Sequence, residues 1–301
     1  MIDAPLRIGV IGLPGKWSTE ALADALEERT GHRIVIELAQ VACDLAEGRV
    51  TFGDVNLCEL DGLVIKKAGE SYHPDMLDRL EILRYVESRG VPIFSKPLSI
   101  MRLLDRVSCT ITLAAADIPM PPTIITENLD EASAAVDRFG AVVLKPLYST
   151  KARGMTVVRA DEAHRDEVLR YYKENGNGVL YIQKMIPLPG RDLGVVFLGG
   201  EYVGTYARVK TNEAWNTTTR SGGKYDRHDP SPQIIEVAQK AQALFDLSFT
   251  SVDVVEGENG PIVFEVSAFG GFRGLKEGLE VDASKLYADY VIDQVREAHG
   301  A

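Results

Sequence analysis

Between Ser251 and Gly274 the chain reads SVDVVEGENGPIVFEVSAFGGFRG, and this segment restricts the fold more than any other. Two apolar runs, Val252–Val255 and Pro261–Val266, flank Glu256-Gly257-Glu258-Asn259-Gly260. Asn-Gly between β-type runs is a strong tight-turn signal, so the segment predicts an antiparallel hairpin. Asp253 lies early on the first arm and Glu265 late on the second, so pairing brings two carboxylates together. Converging carboxylates among Val, Ile and Phe need compensation, because burying uncompensated charge is costly. A hard cation such as Mg2+ supplies it, with water and phosphate oxygens completing its shell. The alternative is that both are solvated strand residues.

The N-terminal third alternates strand and helix patterns. Leu6–Leu13 is an apolar strand ending in Gly12-Leu13-Pro14-Gly15, and Ser18 is a candidate N-cap for a helix closed by Gly31. Strands follow at Arg33–Leu38, Leu60–Ile65 and Val91–Phe94, with a helix from near Pro74 to Arg89 before the last. Strand–helix alternation implies a small parallel α/β domain over residues 1–97. Gly9-x-x-Gly12-x-x-Gly15 is neither a dinucleotide fingerprint nor a P-loop, although Glu37 at a strand end keeps a ribose-binding reading open. The favoured reading has the Gly12–Lys16 turn and Lys66-Lys67 lining a ligand crevice at the carboxyl ends of the strands. Solvation of both lysines is the alternative.

Residues 98–113 carry a helical pattern, and Ala116–Thr123 forms a proline-stiffened linker. Asn128 caps a helix ending at Phe139-Gly140, before strand Ala141–Leu144 delivers Lys145-Pro146. Tyr148–Met155 is a polar, basic loop with Ser149, Thr150, Lys151, Arg153 and Gly154, placed between two strands. Such a loop suits a flap over polyphosphate, or is an ordinary exposed hairpin tip. Strand Val179–Met185 leads to Gly190-Arg191-Asp192 and a hairpin about Gly199-Gly200. The polar run Thr211–Asp229 is long enough to be functional.

The pieces I-P-M-P-P-T (118–123), V-L-K-P (143–146), G-R-D (190–192) and Asp253-x11-Glu265, taken in order, resemble the ATP-grasp superfamily. The branch is that of the ribosomal-protein S6:glutamate ligase and glutathione synthetase. The resemblance implies an α/β plus α+β architecture: a parallel pre-ATP-grasp domain (1–97), a small lobe with the flap (98–185) and a large lobe with the metal hairpin (186–301). It implies ATP contacts at Arg106, Lys145, Ser149, Thr150, Lys151, Arg153 and Gly154. Gln183, Lys184, Met185 and Ile186 would read adenine, and Asp192 would hold ribose. Arg208 and Arg220 would steady the transferring phosphoryl group. Asp253, Glu265 and Ser267 would hold Mg2+, two ions by the family pattern, with Mn2+ as a substitute. Lys66, Lys67, Asn216, Gly222, Gly223 and Arg273 would face the substrates. The implied activity is ATP-dependent joining of a carboxylate to an amine or amino acid through an acylphosphate. The stretch Ser267–Gly274 also resembles an ATP-grasp branch associated with HPr-kinase-like and CofD-like proteins.

Departures from the pattern keep two other functions open. Ser267 stands where the family has Asn, Arg106 where it has Lys, Gly194 where Asp-x-Arg would place Arg, and the flap has one glycine. These features suit a nucleotide-binding pseudoenzyme or a phosphotransferase that forms no amide. The net charge of −11 argues against a broad nucleic-acid or anionic-membrane surface. Cys43, Cys58 and Cys109 are widely spaced and odd in number, which suits a reducing cytoplasm and no zinc site. No apolar stretch approaches membrane-spanning length. A homodimer or homotetramer is the family expectation.

Overall fold

The computed structural model describes residues 5–150, 152–211, 217 and 222–300. The chain begins with β1 (Ile8–Ile11), α1 (Trp17–Thr30) and β2 (Val35–Ile36), then β3 (Ala42–Asp44), β4 (Arg49–Phe52) and β5 (Val55–Asn56). It continues with β6 (Gly62–Ile65), α2 (Asp75–Ser88) and β7 (Ile93–Phe94). β2, β1, β6 and β7 lie side by side in that order, all parallel. The four expected strands are therefore present, with their carboxyl ends at one edge. Two details differ from expectation. Ser18 lies inside α1 and the capping position is Lys16, which makes no side-chain cap. The β3–β4–β5 meander was not foreseen, because its strands are short and mostly half-exposed, with little apolar alternation to mark them.

The single helix expected over 98–113 is two, α3 (Pro97–Leu104) and α4 (Arg106–Ala115). Asp105 breaks it: the residue is extended, and its carboxylate accepts the Val107 N–H at 3.0 Å as the N-cap of α4. β8 (Thr123–Thr126), α5 (Leu129–Phe139), β9 (Ala141–Leu144), β10 (Thr156–Arg159), α6 (Arg165–Glu174) and β11 (Leu180–Lys184) form the next unit. Its antiparallel sheet runs β10-β9-β11-β8, and α5 and α6 bury Val136 and Leu169 against Leu144, Val158 and Ile182. Asn128 caps α5 as expected, accepting the Asp130 and Glu131 N–H groups.

The last unit holds β12 (Arg191–Leu198), β13 (Glu201–Val209), β14 (Lys224–Arg227), α7 (Pro232–Ala243), β15 (Phe249–Gly257) and β16 (Gly260–Val266). Its antiparallel order is β14-β13-β12-β15-β16. α8 (Phe272–Leu279) and α9 (Ala283–Gly300) close the chain. α8 was hidden in the sequence by the glycines around it, although Phe272, Leu275 and Leu279 share one helical face. One apolar core joins the N-terminal sheet (Ile11, Leu63, Leu80), α3 and α4 (Leu104, Leu113) and the last sheet (Phe197, Val254, Val263). α1 and α9 pack together on the opposite face, tied by Arg29 and Asp289. Among the described residues no helix is long and apolar enough to cross a membrane.

Candidate functional site

The hairpin is β15–β16, and Asp253 pairs directly with Glu265. The register shifts immediately after Asp253, a bulge of the kind that re-aims a strand side chain. Across the sheet Asp253 faces Gly194 on β12, and Asp192 on the same strand faces Arg208 on β13. A half-buried guanidinium thus meets two carboxylates. Arg208 Nε donates to both Asp192 oxygens, at 3.2 and 3.0 Å, and Nη2 lies 2.9 Å from Asp253 Oδ2. Burial still pushes the Asp253 carboxyl upward, with Glu265 and Asp192 adding to the effect against Arg208. The site has more negative charge than this one guanidinium relieves.

The second guanidinium is Arg106, at the start of α4 behind the Asp105 cap. Its side chain is buried, with Nη1 3.3 Å from Glu265 Oε2. Nε donates to the Pro146 carbonyl at 3.1 Å and Nη2 to the Ser149 carbonyl at 3.3 Å. Arg106 therefore joins the segment after β9 to the carboxylate hairpin. Beside it a cavity of about 30 Å3 is bordered by Tyr72, Ser149, Glu265 and Ser267. The Ser149 hydroxyl is buried there without a hydrogen-bond partner among the described residues. An orphaned buried hydroxyl beside carboxylates fits an oxygen-rich ligand, since buried polar atoms are normally paired.

Lys145 directly follows β9 and donates to the Gln183 side-chain carbonyl on β11, while Gln183 Nε2 donates to Thr123 Oγ1 at 3.0 Å and to Tyr181 Oη at 3.2 Å. This chain orients the Gln183 amide and aims the ammonium 5.5 Å from the Phe264 ring centre, next to Glu265. Burial and the Arg106 charge push Lys145 down to about 7, against the pull of Glu265 and Asp253. A lysine so poised gains most from an incoming phosphate.

Asp253, Glu265 and Ser267 offer oxygen donors, as Mg2+ prefers. Among the described residues no three His, Cys, Asp or Glu side chains cluster as a metal site. Asp253 and Glu265 therefore fit a Mg2+ that takes its remaining ligands from phosphate and water.

Other expected site residues are dispersed. Thr150, Arg153 and Gly154 lie in the turn after β9, where Thr150 accepts the Arg153 N–H and Gly154 has φ 67°. Lys184 ends β11, and Met185, whose N–H donates to the Ala141 carbonyl at 2.9 Å, and Ile186 follow it. Asp192 is buried against Arg208 instead of facing an open crevice. Lys66 turns inward: it is buried, donates to the Gly270 carbonyl at 2.5 Å and stands 4.0 Å over Phe272. Lys67 lies over Phe269 at 5.3 Å. Gly222 accepts from Thr211, and Gly223 precedes β14. Arg273 is exposed beside Glu277 and Trp17. Lys151, Asn216 and Arg220 lie outside the described residues. Sequence reasoning missed Tyr72, Cys109 and Thr110, which border the cavity from the β6–α2 connection and the inner face of α4. No local pattern marks them, because folding alone brings them to the hairpin.

The RimK-like ATP-grasp domain profile matches residues 104–291. The tetrahydromethanopterin:alpha-L-glutamate ligase of Methanosarcina acetivorans is 27% identical over 268 residues, covering 83% of this chain and 82% of the relative. A probable alpha-L-glutamate ligase of Rhodopirellula baltica is 25% identical over 287 residues, covering 94% of this chain and 69% of the relative. Among solved structures, a RimK domain ATP-grasp protein from Sphaerobacter thermophilus superposes with a TM-score of 0.74 at 22% identity, over 94% of this chain and 98% of that one. The ATP-grasp ligase PsnB, complexed with a phosphomimetic variant of its minimal precursor, Mg and ADP, gives 0.75 at 17%, over 97% and 100%.

Proposed function

The chain belongs to the RimK-like ATP-grasp family, and from that premise we propose that it is an ATP-dependent carbon–nitrogen ligase joining a carboxylate to the amine of an amino acid or peptide. L-glutamate is the favoured amine, on the strength of the glutamate-ligase relatives. The observation that carries the reading is the Asp253–Glu265 pair held between two guanidiniums, buried Arg106 and half-buried Arg208, with Lys145 beside it. Such an arrangement suits phosphoryl transfer, where catalysis is mostly positioning and charge neutralisation.

In this reading residues 1–97, 98–185 and 186–301 act as substrate domain, flap-bearing lobe and metal-bearing lobe. Asp253 and Glu265, with Ser267, would hold one or two Mg2+ ions, or Mn2+ as a substitute, which would neutralise charge on the phosphate oxygens. Lys145 and Arg106 bind the transferring phosphate, and Ser149, Thr150, Arg153 and Gly154 cover it, with Lys151 in the same loop. Gln183 to Ile186 present backbone to adenine. For Asp192 to reach a ribose, Arg208 must first release it toward the phosphate.

The substrate carboxylate oxygen attacks the γ-phosphorus and ADP leaves. The amine nitrogen then attacks the acyl carbon, losing a proton as phosphate departs. The closed loop keeps water from the acylphosphate. ADP release that requires both a carboxylate and an amine, with an amide of the matching mass, tests the reading. ADP formed without any amide would contradict it.

A further inference from the structure

The N-terminal sheet has a topological break between β1 and β6, since the chain leaves β1 for β2 on one side and later returns to β6 on the other. Loops from those strand ends diverge, and in open α/β sheets that divergence opens a ligand crevice. A crevice of about 550 Å3 stands at this place, within the range of small-molecule sites. Its walls come from the β1 loop (Leu13, Lys16), the end of β2 (Glu37, Ala39) and the approach to α2 with its first turns (Glu70, Arg79). It is distinct from the small cavity at the carboxylate hairpin, although Tyr72 of that cavity stands between Ser71 and His73 of this one.

Part of its charge is internally matched, since Lys16 lies 3.3 Å from Glu70. Glu37 and Arg79 form no ion pair among the described residues. Glu37 accepts the Gln40 amide at 2.7 Å, and Arg79 donates to the Ala68 carbonyl at 3.3 Å. The crevice therefore presents the Glu37 carboxylate just after β2 and the Arg79 guanidinium on α2, neither with an ion-pair partner among the described residues. A carboxylate at a strand end is suited to accept hydroxyl pairs, and a guanidinium takes phosphate or carboxylate through parallel hydrogen bonds. Three carboxylates in the lining disfavour a bare polyphosphate, and the volume exceeds what a single amino acid fills.

We propose that this crevice binds an anionic polyol, with hydroxyls on Glu37 and the phosphate or carboxylate group on Arg79, as the far end of the substrate whose carboxylate is activated at the hairpin. That last identification rests on the ligase reading; the binding itself does not.

The test is isothermal titration of the full chain, with and without saturating Mg-ADP, using ribose 5-phosphate, gluconate and L-glutamate as probes. Ribose 5-phosphate or gluconate binds saturably at millimolar concentration in both conditions, and which of the two binds names the anionic group. Ala39→Trp, at an exposed position of the lining, weakens that probe by at least about tenfold and leaves Mg-ADP binding unchanged. Arg79→Gln and Glu37→Gln each weaken it by a similar factor. No saturable binding of either polyol, or binding that Ala39→Trp leaves intact, overturns the proposal. Binding of L-glutamate instead, lost in Ala39→Trp, overturns the polyol assignment. Separate failure of ADP release would count against the ligase reading and not against the crevice.

Discussion

At the scale of single residues, the proposed site lies where charges fail to cancel. Asp253 and Glu265 face each other, each held by one guanidinium, and removing one charge tests that balance. Glu265→Gln keeps the shape but removes the charge that the proposed reading gives to Mg2+; ADP release should fall by at least about a hundredfold and the Mg2+ requirement should rise. Wild-type turnover at the same Mg2+ concentration would remove Glu265 from the metal site. Lys145 gives a prediction with a sign. Its ordinary value of 10.5 is lowered to about 7, so in the ligand-free protein at pH 8 it is mostly neutral. A phosphate beside it favours the ammonium, so nucleotide binding should take up a proton at pH 8 and far less at pH 6. Titration heats in buffers of different ionisation enthalpy measure that uptake, and Lys145→Met should abolish it. The same shift means that the unfolded chain binds more protons between pH 7 and 10.5, so this residue's effect on stability becomes more favourable as pH rises through that window. The two carboxylates were legible because turn residues fix a register. The Arg208–Asp192 and Lys66–Gly270 contacts were not, since they join strands or loops whose neighbours only the tertiary fold decides.

At the scale of elements, strong local signals were readable and weak ones were not. The Asn128 cap and the Gly31 stop each act through a few neighbouring residues and stand where the sequence puts them, whereas the hairpin turn falls on Glu258-Asn259, one residue before the expected Asn-Gly, because Gly260 already pairs with Gly257. The two- to four-residue strands β3, β5 and β14 carry too little periodicity to be seen, and α8 is masked by Gly270, Gly271, Gly274 and Gly278. The break at Asp105 has a functional reading, because it starts α4 where Arg106 can reach Glu265. Asp105→Ala should cost about 1 kcal/mol in urea unfolding and raise KM for ATP through the misplaced Arg106. Unchanged KM with lowered stability would confine Asp105 to capping. The Gly194 departure from the family pattern also has a cause: a Cβ there would overlap the buried Tyr206 ring, which also fills the space over Gly274. Gly194→Ala should destabilise by about 1–3 kcal/mol, and Tyr206→Leu should recover part of it in the double variant.

At the scale of the whole molecule, the apolar cores do not follow chain order. α3 and α4 pack into the core shared by the N-terminal and last sheets, whereas the β8–β11 unit has its own core between residues 132 and 182. Hydrogen exchange should therefore find that unit opening at lower free energy than the rest, with nucleotide protecting its β9–β11 strands and the β15–β16 hairpin together. The alternation of the first third made the parallel sheet legible; the shared core was not, because contacts distant in sequence leave no periodic trace. The measurement that bears most directly on the central claim is ADP release from Mg-ATP with L-glutamate as amine and pooled carboxylates as co-substrates, followed by mass analysis of the products. Stimulated ADP release with one product heavier than its carboxylate by a glutamyl residue is the expected result. Nucleotide binding with no stimulation from any pool, and no amide in the products, would contradict the ligase account.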